Sequence, residues 1–210
     1  NDVYYVDHRE DSLDDTGGYD TAYVSTSFVK LPGTIENVIF TNGAVALPYW
    51  IDALLDDQGA HFRPATLLGS AKTFGYIFPT TLPDYERPED VSNGYMPFSS
   101  GQIARTEEAL RYIEGLIDVR FVRTTNAAAK NVLTFSNNLQ NDSAGYAFMP
   151  SDEFYASDLF INNDEALIGE TTLSDGTYSA LTLIHEIGHA IGLKHPFFAE
   201  DNDPPFLPSS

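Results

Sequence analysis

The stretch that decides the fold of this chain is His-Glu-Ile-Gly-His-Ala-Ile-Gly-Leu-Lys-His-Pro, residues 185–196. It follows the spacing H-E-x-x-H-x-x-G-x-x-H. His185 and His189 are four residues apart, so on a helix their side chains lie on the same face, one turn apart. Two imidazoles in this arrangement can bind one metal ion. The spacing therefore predicts a helix that carries a metal centre.

Three further positions extend this prediction. Glu186 follows the first histidine and lies off the ligand face, within reach of a metal-activated water, which makes it the candidate catalytic base. Gly192 is expected to end the helix, because glycine adopts the left-handed backbone that a sharp turn requires. The turn brings His195 back as a third nitrogen ligand. Three histidines with one open coordination position are typical of catalytic zinc, whereas structural zinc has four protein ligands.

A simpler interpretation is a buried helix whose three histidines are satisfied by ordinary hydrogen bonds. The composition argues against it, since the chain has 5 histidines and three of them fall within this motif. Five fixed positions in register arise by chance only about once in a few million starting points, if residues are treated as equally frequent.

Together with Pro196, the motif resembles the serralysin-like family of metzincin zinc proteases, which bacteria secrete. Weaker similarity extends upstream through residues 71–78, 98–123, 144–150 and 158–162. The resemblance implies an α+β fold over residues 46–210, a metzincin (zincin-like) protease domain with a mixed sheet and two long helices. It implies Zn2+ as cofactor, polypeptides as substrates and an extracellular location reached by type I secretion. It also implies that substrate pairs with an edge strand formed by Ala144, Gly145, Tyr146, Ala147 and Phe148.

One part of the family pattern has no match in this chain. Serralysins have a methionine turn beyond the third histidine, whereas Met96 and Met149 both precede the motif. The sequence therefore predicts an incomplete protease domain, a fragment whose missing C-terminal part supplies that turn. This missing part, or a proteinaceous inhibitor, is an expected partner. The fragment alone is expected to bind zinc weakly and to cleave slowly.

Residues 1–45 differ in character from the rest of the chain. Short runs rich in β-branched and aromatic residues alternate with glycine and acidic turns, which predicts β-strands. The segment resembles the region that follows the calcium-binding nonapeptides of RTX (haemolysin-type) repeat proteins, although the nonapeptide itself is missing. Ca2+ therefore stays open as a second ion. The other interpretation is a small β-hairpin cap with solvated acidic turns.

The charge of the chain excludes two classes of partner. Its 31 acidic residues against 11 basic ones give a formal net charge of −20. Nucleic acid and anionic membrane surfaces are negatively charged and would repel it. No apolar run is long enough to predict insertion into a membrane. The lack of cysteine excludes disulfides and thiol catalysis.

Local signals predict a second long helix and a loop. Ser99 and Gln102 have the spacing of a capping box, and apolar residues at helical spacing predict a helix over residues 100–117. Residues 131–135 are expected to form a strand of the sheet beneath this helix. The polar residues 136–143 are expected to form a loop.

Two other functions stay open from the sequence. An acidic secreted chain with an RTX-like segment can be a catalytically impaired binding or adhesion module. The motif also occurs in other metzincin families. The intact Glu186 favours a zinc-dependent endopeptidase, because loss of the base is the simplest route to an inactive protease fold.

Overall fold

A computed structural model describes residues 1–8, 11, 13–55, 72–85, 87, 91–127, 129, 132–151 and 153–195. Pro196, which contributes to the family resemblance, lies outside the described residues. The chain divides into two compact units. One comprises residues 1–63 and 192–210, and the other comprises residues 64–191.

The first unit contains a three-stranded sheet of β1 (Val3–Val6), β2 (Thr21–Val24) and β3 (Asn37–Phe40). Neighbouring strands are parallel, with β2 in the centre. The predicted strands are confirmed, but the β-hairpin interpretation is wrong, because the strands of a hairpin are antiparallel. Long connections bring each strand back to the same end of the sheet. The small core of this unit consists of Val6, Ala22, Val24, Val29 and Ile35.

The first unit continues with a short helix, α1 (Tyr49–Asp52). Beyond it, an isolated antiparallel bridge pairs Leu55 with Leu193. The backbone N–H of Lys194 donates to the carbonyl of Leu54 at 2.9 Å. These bonds tie the segment that follows Gly192 to residues near position 55. The predicted domain boundary at residue 45 stays a prediction.

The second unit is built on one mixed sheet. Four strands are parallel and lie in the order β6-β4-β7-β9, while β8 continues the sheet antiparallel to β9. A short strand, β5, is antiparallel to β7. The mixed sheet of the predicted α+β fold is thereby confirmed. The strands are β4 (Thr73–Ile77), β5 (Met96–Pro97), β6 (Arg120–Arg123), β7 (Val132–Asn138), β8 (Gly145–Ala147) and β9 (Asp158–Asn162).

Three helices accompany this sheet in the described part of the unit: α2 (Ser100–Glu114), α3 (Glu165–Ile168) and α4 (Tyr178–Ala190). The two long ones, α2 and α4, agree with the prediction of two long helices. A helix needs about 20 apolar residues to cross a bilayer. Within the described part of the chain, no helix combines the length and the apolar character that this requires.

Helix α2 begins with the predicted capping box and ends earlier than predicted. The Ser99 hydroxyl accepts from the Gln102 N–H at 3.2 Å, and the Gln102 side chain accepts from the Ser99 N–H at 2.9 Å. The predicted end at residue 117 is wrong, because the helix ends at Glu114 with Gly115 as its cap. Ile117 therefore does not extend the buried stripe, and its side chain is 43% exposed.

The loop predicted over residues 136–143 begins three residues too early, because β7 continues through Asn138. All seven residues of β7 are buried, as expected for a central strand covered on both faces. Its polar side chains find partners inside the protein. Asn137 accepts from the Gln102 side chain at 2.9 Å, and the Ser136 hydroxyl bonds to the Tyr95 hydroxyl at 3.2 Å. Polarity alone was therefore a misleading sign of a loop.

Candidate metal centre and active site

Helix α4 carries the histidine motif and is anchored at its N-terminus by side-chain hydrogen bonds. The Thr177 hydroxyl caps the helix by accepting from the Ala180 N–H at 3.3 Å. The Ser179 hydroxyl donates to Glu170 at 2.7 Å. Hydrogen bonds from Thr172 and Ser179 lower the pKa of Glu170 to about 2, so this anchor is ionised at neutral pH. One face of α4 packs into the core through Leu183, Ile187 and Ala190.

His185 and His189 lie together on a different face of α4, as the spacing predicts. Their rings are nearly perpendicular, at 88°, with centroids 4.6 Å apart. Their Nε2 atoms are separated by 3.0 Å. Zinc bonds of about 2.0–2.1 Å in tetrahedral geometry would place two ligand nitrogens about 3.3 Å apart. The pair therefore fits a zinc ion after an opening of a few tenths of an ångström, and imidazole is a ligand that zinc favours.

The C-terminal end of α4 leads to the third histidine. The Ser157 hydroxyl donates to the Ala190 carbonyl at 2.7 Å, which satisfies a backbone group at the helix end. Gly192 has a φ of +110°, a conformation that favours glycine, so the predicted turn at this residue is confirmed. His195, the third predicted ligand, follows this turn in the first unit, and its part in the metal centre stays a prediction.

Glu186, the predicted base, lies on the buried side of α4. Its side chain is only 5% exposed. Burial raises the pKa of this carboxyl group to about 7, because a low-dielectric environment disfavours the charged form. A cation bound nearby would favour ionisation and lower this pKa. Without a bound cation, the carboxyl group therefore exchanges its proton near neutral pH.

Strand β8 approaches α4 closely at Gly145. A Cβ atom at this position would lie 2.8 Å from Thr182 Cγ2, 3.1 Å from the Phe160 carbonyl oxygen and 3.2 Å from Glu186 Cγ. These distances are shorter than ordinary van der Waals contacts, so any larger residue would push the strand and the helix apart. Only glycine allows β8 to pack this tightly against the side chain of Glu186.

The five residues predicted to bind substrate fall on and beside β8. Gly145, Tyr146 and Ala147 form the strand, and Ala144 and Phe148 flank it. Both flanking residues form backbone hydrogen bonds with the ends of β9. The Asn162 N–H donates to the Ala144 carbonyl, and the Phe148 N–H donates to the Asp158 carbonyl, each at 2.9 Å. Among the described strands, β8 is the last in the sheet order. Its outer edge faces away from β9.

A buried ion pair lies at the start of β9, and sequence reasoning did not find it. Arg87 Nε donates to Asp158 at 3.0 Å, and the side chains are 5% and 0% exposed. Asp158 also accepts from the Tyr85 hydroxyl at 2.9 Å and from the Thr134 hydroxyl at 2.6 Å. Burial raises the pKa of Asp158, while these hydrogen bonds and Arg87 act in the opposite direction. Asp158 follows Ser157 directly in the sequence. The ion pair therefore fixes the segment whose Ser157 hydroxyl bonds to the C-terminal end of α4.

With this geometry in place, comparison with known sequences defines the class of protein. The sequence model of the matrixin (peptidase M10) family matches residues 90–201, more than half of the chain. The chain belongs to this family and is a serralysin-like metzincin.

Three curated relatives show how far the similarity extends. The chain is 27% identical to serralysin G of Dickeya chrysanthemi over 146 residues, which cover 66% of this chain and 30% of that protein. It is 29% identical to a serralysin of Proteus mirabilis over 147 residues, 61% of this chain and 30% of that protein. It is 30% identical to metalloprotease AprA of Pseudomonas entomophila over 130 residues, 59% of this chain and 26% of that protein. The matched region thus spans about a third or less of each relative.

Proposed function

We propose that this chain is a zinc-dependent endopeptidase in which His185, His189 and His195 bind the ion and Glu186 is the general base. The observation that carries the proposal is the pair of imidazole Nε2 atoms 3.0 Å apart on α4, the helix that also carries the buried Glu186. Family membership supports the same chemistry. Three nitrogen ligands leave one coordination position open, as in catalytic zinc sites.

The chemistry divides between the ion and the protein. Bound zinc supplies a Lewis acid that polarises the scissile carbonyl and acidifies water. The Glu186 carboxylate takes the proton of the attacking water and then transfers it to the nitrogen of the leaving amine. Its burial shields this proton from exchange with bulk solvent. The reaction needs no side-chain nucleophile and no calcium ion.

The substrate of this reaction is an extended polypeptide. We take β8 as the strand that binds the substrate, because the outer edge of a sheet can pair with another strand through main-chain hydrogen bonds. The close approach of β8 to α4 supports this assignment, since a Cβ atom at Gly145 would lie 3.2 Å from Glu186 Cγ. Residues 144–148 would then hold the substrate backbone, and pockets for alternate side chains would set the preference.

The proposed place of action is outside the cell, in line with the serralysin relatives. Recovery of the protein from the cell-free medium of its producing bacterium would agree with this, and its retention inside cells would contradict it. Two partners stay proposed for the active site: further sequence of the same polypeptide, and a proteinaceous inhibitor.

Metal removal tests the proposed function directly. The zinc-loaded chain is expected to hydrolyse casein, to lose this activity on treatment with a strong chelator, and to regain it when Zn2+ is added back. Ca2+ and Mg2+ serve as controls. Neither ion is expected to restore casein hydrolysis, because imidazole ligands do not suit them. Hydrolysis that persists in the chelator, or that Ca2+ alone restores, would rule out a zinc peptidase.

A further inference from the structure

Ser157 connects three elements of the second unit through its three polar groups. Its hydroxyl donates to the carbonyl of Ala190, the last residue of α4, at 2.7 Å. Its backbone N–H donates to the Phe148 carbonyl beside β8 at 3.1 Å, and its own carbonyl accepts from the Thr134 N–H of β7 at 3.3 Å. The residue is buried, with 1% of its surface exposed. It thus links the helix of the metal centre, the strand proposed to bind substrate and a central strand of the sheet.

The backbone of Ser157 is strained, with a φ of +63°. This left-handed conformation is uncommon for residues other than glycine, because it brings the Cβ atom close to a carbonyl oxygen. Glycine would adopt the same backbone without that strain. Strained residues persist where the surrounding structure fixes them, and they cluster at active sites. Serine differs from glycine here by its Cβ atom and its hydroxyl, so the bond to Ala190 is the interaction that serine adds at this position.

The bond from Ser157 acts directly beside a proposed zinc ligand, because His189 precedes Ala190 in the last turn of α4. The last carbonyls of a helix have no partner within the helix, and helix ends without such partners fray. Fraying of this turn would move the His189 imidazole away from His185, whose Nε2 atom lies 3.0 Å from that of His189. A hydroxyl that holds the Ala190 carbonyl therefore keeps the two imidazoles at a separation that suits one metal ion.

We propose that Ser157 is a positioning residue for the metal centre, whose hydroxyl holds the last turn of α4, and with it His189, in a fixed position relative to β8. This inference rests on the proposed function, because it takes His185 and His189 as zinc ligands. Residues that orient metal ligands without touching the ion typically contribute about 10–100-fold to metal affinity. Ser157 acts through the backbone of α4, one step further from the ion, so the lower end of this range, about tenfold, is expected.

Two substitutions in the full chain separate positioning from stability. Ser157→Ala and Ser157→Gly both remove the hydroxyl, but only glycine relieves the strain, so Ser157→Gly should unfold at a higher urea concentration than Ser157→Ala. Both variants are nevertheless expected to bind zinc about tenfold more weakly than the parent, measured by competition with a chromophoric chelator. Without metal, the amide hydrogen of Ile191 at the end of α4 should exchange about fivefold faster in both, the effect of losing one hydrogen bond, whereas that of Leu181 near its start should not change.

Thr106→Val is the matched control, because the buried Thr106 hydroxyl also donates to a helix carbonyl, that of Gln102 in α2, at 2.9 Å. It should unfold at a lower urea concentration than the parent while zinc affinity and Ile191 exchange stay unchanged.

The proposal is overturned if Ser157→Gly binds zinc as tightly as the parent, if its Ile191 exchange equals that of the parent, or if Thr106→Val weakens zinc binding equally. Circular dichroism checks folding, and Ser157→Gly decides alone if Ser157→Ala does not fold. A parent chain that binds no zinc would refute the proposed function, whereas the exchange measurement in the metal-free chain would still show whether Ser157 holds the end of α4.

Discussion

Replacement of Glu186 by alanine is expected to lower the casein-cleavage rate by about 10²–10⁴-fold, while zinc stays bound. The reason is that the carboxylate is the proposed proton acceptor and takes no part in binding the ion. The side chain is buried against Gly145, so Glu186→Gln, which keeps its shape, separates loss of the base from loss of packing. The measurement is initial rate and zinc content of parent and variants at one pH.

The control for this comparison is Glu165→Ala, which removes an exposed glutamate from the short helix α3. It should cleave casein at the parent rate. If Glu186→Gln cleaved as fast as the parent chain, Glu186 would not be the base. If it lost zinc together with activity, the carboxylate would have a structural role at the metal centre instead.

The largest effect on stability is expected from Asp158→Asn, which should reduce the free energy of unfolding by about 3–5 kcal/mol. Arg87 would keep its buried positive charge without a countercharge, since its side chain is 5% exposed. The bonds from Tyr85 and Thr134 to Asp158 would also be weakened or reversed. Urea unfolding of the metal-free chain, followed by circular dichroism, measures the difference.

An exposed ion pair in the same unit provides the comparison. Arg105 and Glu108 lie 2.8 Å apart on the surface of α2, with side chains 41% and 53% exposed. Glu108→Gln should therefore change the free energy of unfolding by about 1 kcal/mol or less. A loss as small as this in Asp158→Asn would mean that the buried pair does not support the segment beside α4.

The features that the sequence predicts well are local ones. The histidine spacing, the turn at Gly192 and the capping box at Ser99 each depend on residues within one or two helical turns. Short-range geometry determines them, so each pattern has a single structural interpretation. The start of α2 could be predicted for the same reason.

The features that escaped prediction depend on distant pairs. Arg87 and Asp158 are 71 positions apart, and nothing near either residue indicates that the other lies beside it. The parallel pairing in the first unit also joins separate segments, so short strands alone suggested a hairpin. Asn137 appeared to belong to a loop because its partner, Gln102, is 35 positions away. A polar side chain can be recognised as buried only in the folded structure, where its hydrogen-bond partner lies beside it.

Zinc stoichiometry is the most direct test of the central claim. At saturating free Zn2+, equilibrium dialysis followed by elemental analysis of the chain should give one bound zinc per molecule. His189→Asn should retain far less, because it removes one of the two Nε2 atoms that lie 3.0 Å apart on α4. A chain that holds no zinc after this dialysis, or a His189→Asn variant that holds as much as the parent, would contradict the account.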